Sequence, residues 1–429
     1  MKMEFAGEMK AIKVDRLSDI RKLYQQNVVP SYSRFDLALD HGEGSYVWDV
    51  AGKRYLDLGG GIAVCSLGHA HPAITDALLE QSRKLVHVSN LYFTKPQAQL
   101  AEALVKLIGP GRCFFCNSGA EANEGLYKLA RKFGHEESRF EVITADGSFH
   151  GRTLAGIAAT GQAKVKKGFE PMVAGFRQVP FNDLEAMRAA ITPQTAAILI
   201  EAIQGESGIT PATVDYLLGL RTLCDEKNLL LLLDEVQAGH FRTGRFQSWQ
   251  RLLEKVPGAE AFSPDAVSMA KSLGGGFPIG AFWVREKYAE VLAAGTHATT
   301  FGGSPLGCAV ALKILEVIEQ DQLPDRSRQL GDFMKAELQR LIRKFPAVLK
   351  EVRGAGLMIG LEFRDDAPGF RGVDKAPALQ VVDRLHALGI LTVPAALAVI
   401  RILPALNLTQ ADAVEGLHAI EAVVAELAS

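Results

Sequence analysis

Residues 229–233 are five consecutive leucines that run directly into Asp234 and Glu235. A membrane helix needs roughly 20 consecutive apolar residues, and no stretch of the chain approaches that. An unbroken apolar run of strand length fits a strand covered on both faces by crossover helices. Further short runs at 112–116, 142–145, 196–200 and 281–284 alternate with helical patterns. One such pattern is the Leu100, Leu104, Leu107 stripe, which follows Thr94 and Pro96 and is stopped by Gly109-Pro110. Strands taking turns with helices predict an α/β fold built on a parallel sheet.

The flanking regions have a different texture. Val47-Trp48-Asp49, Gly52 and Tyr55-Leu56-Asp57 read as a short antiparallel hairpin appended to the core. After about Lys313 the chain predicts a long charged helix, then an apolar segment at 354–363, and finally an amphipathic helix at 411–427. Together these suggest a smaller C-terminal α/β domain. No internal repeat is visible.

Bulk properties exclude several function classes. The formal charge of −2 gives no electrostatic case for nucleic acid or an acidic membrane. Glu4, Glu8 and Asp15 among the first lysines argue against a secretory signal or transit peptide, so a cytoplasmic location is expected. The cysteine count, five, is odd, and the spacing irregular, which fits a reducing compartment. Cys113 and Cys116 form a CxxC, but no second pair completes a zinc site and the segment reads as a strand. His69 and His71 lack a third ligand, so no metal site is expected.

Five segments carry chemistry. Asp234 and Glu235 end a buried strand at its carboxyl edge, where open α/β sheets bind ligands, and a buried carboxylate there needs a cationic partner. Lys271 sits between the apolar Met269-Ala270 and a glycine corner at 274–276. Desolvation at such a place lowers an amine's pKa and makes it nucleophilic toward a carbonyl. The turn Asn117-Ser118-Gly119-Ala120-Glu121-Ala122-Asn123 follows a strand and opens a helix, so its small residues let backbone amides approach a phosphate. It would serve equally as a plain capping box. Phe149 and Arg152 offer a stacking face and a carboxylate clamp, and Arg401 lies inside an apolar run, where it needs an acid such as Glu206 or a substrate carboxylate. The runs 59–61 and 274–276 lack the strand, G-x-G-x-x-G and helix arrangement of a dinucleotide site, leaving a nicotinamide oxidoreductase as the weaker reading.

In order and spacing these pieces resemble the class III, ornithine-type aminotransferases of fold type I, from about Tyr32 to Asn407. Gly61 to Val64, Gln204-Gly205-Glu206 and Thr299 to Gly303 join the segments above in carrying the match. The resemblance implies a large domain at 62–313 with a mostly parallel seven-stranded sheet flanked by helices. It also implies a small α/β domain at 314–429 and an N-terminal segment, 1–61, packed with it. Pyridoxal phosphate (PLP) would be carried by Lys271 as a Schiff base, with Asp234 keeping the ring nitrogen protonated. Gln237 would bind the phenolic oxygen, Val236 and Phe149 would sandwich the ring, and Ser118, Gly119 and Ala120 would hold the phosphate. Thr300 would reach that phosphate from a second subunit, implying a homodimer.

By the same resemblance, Arg152 and Tyr32 would hold the donor's α-carboxylate, and Arg401 that of 2-oxoglutarate, with Glu206 neutralising Arg401 in the other half-reaction. Ile62 resembles the acetylornithine branch, whereas tyrosine is usual in the ornithine branch. This favours N-acetylornithine as donor, with glutamate and the semialdehyde as products in arginine biosynthesis. Ornithine, succinylornithine, 4-aminobutyrate and lysine-type donors remain as alternatives, as does an aminomutase or a catalytically silent homologue. The sequence departs from the family at Cys65, Ser207, His240-Phe241 and Ser304, and Phe241 and Ser207 are expected near the entrance.

Overall fold

The leucine run forms the middle strand of a seven-stranded sheet. In this computed structural model, which describes residues 16–429, its strands are β1 (Gly111–Cys116), β2 (Glu141–Ala145), β3 (Phe176–Val179), β4 (Thr195–Ile200), β5 (Leu230–Asp234), β6 (Ala266–Met269) and β7 (Gly280–Arg285). Glu4, Glu8 and Asp15 lie outside the described residues. The spatial order is β1-β7-β6-β5-β4-β2-β3. Only β7 runs against its neighbours: it pairs antiparallel with β6 and β1, while β5 pairs parallel with β4 and β6.

Every residue of β5 is buried. Its side chains alternate between two cores, Leu231 and Leu233 in one, Leu230 and Leu232 in the other. That two-sided burial explains why no polar residue interrupts the run, since each fully buried leucine contributes about 1.5–3 kcal/mol relative to an exposed one. The strand includes Asp234, so its backbone is fixed by the ladder itself. The predicted stripe forms helix Lys95–Ile108, which buries Leu100, Leu104 and Ile108 and ends at Gly109, whose φ of 141° suits glycine. Leu107 is only half-buried.

A second, antiparallel sheet contains Leu349–Ala355, Met358–Phe363, Val399–Ile402 and Val393–Ala395. Helices Leu323–Lys344 and Gln410–Ala428 supply Leu338, Leu341, Ile420 and Val424 to its core. The predicted hairpin is present as Tyr46–Asp49 paired with Arg54–Asp57, with Tyr46 opposite Leu56. Leu39–Glu43 and Ile390–Leu391 extend it to a four-stranded sheet, and Leu56 and Leu58 join the core of the second sheet. Residue 313, after which a change of domain is expected, lies inside helix Pro305–Gln320. That helix sends Val310, Ile314 and Ile318 into the core of the second sheet, and Cys308 and Ala311 into that of the first.

Candidate active site

The carboxyl ends of β4, β5 and β6 deliver Glu201, Asp234 and Lys271 to one edge of the large sheet. Asp234 and Lys271 line a single cavity of about 390 Å³. Asp234 is buried and held on three sides. His150 Nδ1 lies 2.8 Å from its Oδ2, Asn123 Nδ2 donates to the same oxygen at 2.7 Å, and the Val236 amide donates to Oδ1 at 3.0 Å. Burial alone would raise its pKa, but the hydrogen bond and charge of His150 with the other two donors hold it below the ordinary carboxylate value. The acid therefore stays ionised in a buried place.

Lys271 lies two residues beyond the end of β6 and takes a left-handed backbone conformation, with φ of 46°. Burial pushes its ammonium down to about 8, and the nearby charge of Glu206 opposes that shift without cancelling it. An amine with that pKa is substantially neutral just above neutral pH, as nucleophilic attack on a carbonyl requires.

The opposite wall is the start of helix Gly119–Phe133. Ser118 is its N-cap, accepting from the Glu121 amide at 3.2 Å. The expected capping box is shifted by one residue, because Glu121 Oε2 accepts from the Asn117 amide and side chain at 2.9 and 2.8 Å. Ser118, Gly119 and Ala120 face the cavity at the positive end of the helix dipole. Gly119 is required by close packing, since a Cβ there would stand 2.7 Å from Val236 Cγ1. Phe149, Arg152, Val236 and Gln237 complete this part of the lining, with the Arg152 guanidinium 5.5 Å from the centre of the Phe149 ring.

Arg401 lies just behind Gln237. It is 2% exposed and donates to Glu206 Oε1 at 2.6 Å, to Gln237 Oε1 at 3.1 Å and to the Pro394 carbonyl at 3.0 Å. Burial would raise the pKa of Glu206, but the charge and hydrogen bonds of Arg401 outweigh it and hold the carboxyl below its ordinary value. A charged carboxylate, 29% exposed, thus pairs with a buried guanidinium beside the cavity.

The family model for aminotransferase class-III matches residues 28–424. This chain is a class-III aminotransferase. An acetylornithine aminotransferase of Gloeobacter violaceus is 48% identical over 345 residues, which cover 80% of this chain and 84% of that protein. Among solved structures, an N-acetylornithine aminotransferase of Stenotrophomonas maltophilia is 36% identical, covers 94% of this chain and 98% of its own, and superposes with a TM-score of 0.78. An ornithine aminotransferase of Toxoplasma gondii, described with PLP at its active site, is 31% identical with a TM-score of 0.89, covering 97% and 95%. Class-III aminotransferases are PLP-dependent transaminases, and this chain is one of them.

The site fits that cofactor on its own chemistry. A dipole-charged helix start suits a phosphate, an ionised buried acid suits a pyridinium, and a neutral-tending lysine suits an aldehyde. The buried Asn123 Oδ1 and His150 Nε2 have no hydrogen-bond partner among the described residues.

Four expected site residues lie outside the cavity lining: Glu206 and Arg401, paired beside it, and Tyr32 and Thr300. Tyr32 is 74% exposed and packs with the Arg34 guanidinium, 5.4 Å from its ring centre, away from Arg152. Thr300 is exposed, on the segment that Asn90 ties down through the carbonyls of Thr299 and Gly302. Phe241, expected near the entrance, instead packs 5.3 Å from Phe246 and touches both main cores, outside the cavity lining. Ser207 donates to Gln204 Oε1 at 2.8 Å, and Ser304 caps helix Pro305–Gln320.

Sequence reasoning passed over His150, Asn123 and Glu201. His150 lies between Phe149 and Arg152 in the sequence but carries no signal of its own, because the contact with Asp234 spans 84 residues. Glu201 follows β4 as Asp234 ends β5, so the strand-edge argument could have found it. Burial pushes its carboxyl up to about 7, and it accepts from the amides of Phe149 and Gly205.

One further feature borders the cavity. Gly60, Gly61, Ile62 and Ala63 all have positive φ, between 54° and 64°, forming a single left-handed turn. Glycine accepts this freely, whereas Ile62 and Ala63 cost about 1–2 kcal/mol each. Gly60 has a second reason to be glycine: a Cβ would stand 2.6 Å from the Leu403 carbonyl oxygen.

Proposed function

We propose that this transaminase moves the terminal amino group of N-acetylornithine to 2-oxoglutarate, yielding N-acetylglutamate semialdehyde and glutamate, in the cytoplasm and as a step of arginine biosynthesis. The masked Arg401 carries the reading that two substrates share one pocket, since such a guanidinium can receive an α-carboxylate once Glu206 withdraws. The choice of donor is supported by the relatives named above and by Ile62, 41% exposed on the turn beside the cavity.

Bound PLP supplies an electron sink for the pair left on the substrate carbon when its proton departs. Lys271 anchors the cofactor through Nζ and then carries the proton from that carbon. Asp234 holds a proton on the ring nitrogen, and His150 and Asn123 keep Asp234 oriented. Phe149 and Val236 clamp the ring, Gln237 binds its phenolic oxygen, and Ser118, Gly119 and Ala120 hold the phosphate. Arg152, on the cavity wall, takes the donor's carboxylate.

The working form is a homodimer, in which Thr300 completes the partner's phosphate site. Leu91, Tyr92, Phe93 and Phe301 are 65% or more exposed, and Asn90 joins their two segments, so an apolar patch adjoins Thr300. Patches of this kind mark association surfaces. A donor panel with 2-oxoglutarate, scored by glutamate formed, tests the reading. N-acetylornithine should lead. A higher kcat/KM for ornithine or 4-aminobutyrate would overturn the donor, and absence of glutamate with every donor would favour an aminomutase.

A further inference from the structure

The left-handed turn at Gly60–Ala63 is tied down more heavily than a surface turn needs. Asp57 Oδ1 accepts from the amides of Gly59 and Gly60, both at 2.9 Å, and Asp57 Oδ2 lies 2.8 Å from His69 Nε2. On its far side, the buried Ser272 hydroxyl donates to the Ala63 carbonyl at 2.7 Å. Ser272 directly follows Lys271, so one hydrogen bond joins two stretches of left-handed, non-glycine backbone. Ser66 returns the link, its hydroxyl donating to the Ser272 carbonyl at 3.5 Å.

The turn also touches the rest of the site. Ala63 packs in a small apolar cluster with Ile203, Ala238 and Leu403. Those residues adjoin Gln204, Gln237 and the Arg401 strand, and Val64 lines the cavity. Backbone held in an unfavourable region persists only where its surroundings over-determine it, and such places cluster at functional sites. Here the surroundings are a carboxylate, a histidine and a serine with no reacting atom of their own to serve.

We propose that Ser272 is a positioning residue: its bond to the Ala63 carbonyl locks the Lys271 backbone to the left-handed turn and so aims Nζ at the cofactor aldehyde. The proposal rests on Lys271 being the cofactor lysine. Without the bond, the lysine backbone is free to relax toward a right-handed conformation, and Nζ leaves the line of attack. The substrate-carboxylate contacts, carried by Arg401 on strand Val399–Ile402 and by Arg152 in the bend before helix Leu154–Ala159, stay in place. The signature is therefore a fall in rate without a matching loss of substrate affinity.

The test uses full-length enzyme, stripped of cofactor and recombined with PLP, and reads the loss of free-aldehyde absorbance and the borohydride-fixed label. Ser272→Ala should slow recombination at least tenfold and lower kcat about tenfold, with the donor KM within twofold. Ser272→Thr, which keeps the hydroxyl, should restore both rates to within about threefold. Recombination of Ser272→Ala within twofold of the parent would overturn the proposal. So would a Ser272→Thr variant as slow as the alanine, whatever the melting temperatures, because the hydroxyl would then not be the agent. Lys271→Ala serves as the control and should take no borohydride-fixed label. If it labels at the same rate as the parent, the assignment of the cofactor lysine fails and the role of Ser272 fails with it. If Lys271→Ala is blank while Ser272→Ala is normal, only the positioning role is lost.

Discussion

Replacing Glu206 with glutamine keeps the shape of the Arg401 mask and removes its charge. In the parent enzyme an incoming oxoacid must first displace a carboxylate bonded to Arg401 at 2.6 and 3.4 Å. Breaking a buried ion pair costs about 3–5 kcal/mol, and Glu206 at 29% side-chain exposure falls at the low end. Hydrogen bonds of a neutral glutamine to the same charged guanidinium are worth roughly 1.5 kcal/mol or more. The difference, at most about 1.5 kcal/mol, no longer opposes the oxoacid, so 2-oxoglutarate should bind up to about tenfold more tightly. The donor half-reaction should suffer in turn, since an unmasked Arg401 attracts the donor carboxylate into the wrong orientation. Measuring the two half-reactions separately, from the aldehyde and amine absorbances of the cofactor, separates the effects. A 2-oxoglutarate dissociation constant that is unchanged or weaker, together with a normal donor half-reaction, would refute the idea that Glu206 masks Arg401. Stability supplies a second check. The folded pKa of Glu206 lies below its unfolded value, so its contribution is complete above the unfolded pKa and fades as pH falls through the folded one. Glu206→Gln should accordingly be less stable than the parent at pH 7 and equal to it in strong acid.

Two further substitutions test the cavity. Lys271→Met should stabilise the cofactor-free chain by roughly 1–3 kcal/mol at pH 7, because a base held at about 8 is penalised whenever it is protonated. The penalty is complete below the folded pKa and fades as pH rises toward the unfolded value, so a urea-melt advantage that persists above pH 11 would contradict this origin. Gly119→Ala places a Cβ 2.7 Å from Val236 Cγ1, pushing apart the helix start and the ring wall. PLP affinity should fall at least tenfold with far-UV circular dichroism unchanged, and unaltered affinity would show that the wall is free to yield.

Much of the fold was written where burial is two-sided. The leucine strand, the valine and isoleucine runs of β2 and β4, and the amphipathic helices each carry a period that only one environment satisfies. Strands β3 and β6 were missed for physical reasons. Phe176-Arg177-Gln178-Val179 is an edge strand with only Val179 buried, and Ala266-Val267-Ser268-Met269 is too short to establish a period. Asp234 and the helix turn were legible because each sits where a predicted strand ends, and Lys271 because it lies between an apolar pair and a glycine corner. Contacts such as Asp234 with His150 and Asn123, or Arg401 with Gln237, span more than a hundred residues or nearly so, and no local pattern encodes them. The left-handed turn was hidden for another reason. Gly60 and Gly61 announce a bend, but isoleucine and alanine at the next two positions ordinarily argue against continuing it.

Helix Pro305–Gln320 belongs to both hydrophobic interiors at once, Cys308 and Ala311 facing one and Ile314 and Ile318 the other. A cut at residue 313 would divide a helix and leave each fragment with an open seam of aliphatic side chains. Neither portion should therefore survive as a soluble stand-alone piece, and chimaeras with related enzymes are better joined at a surface loop than at this sequence landmark.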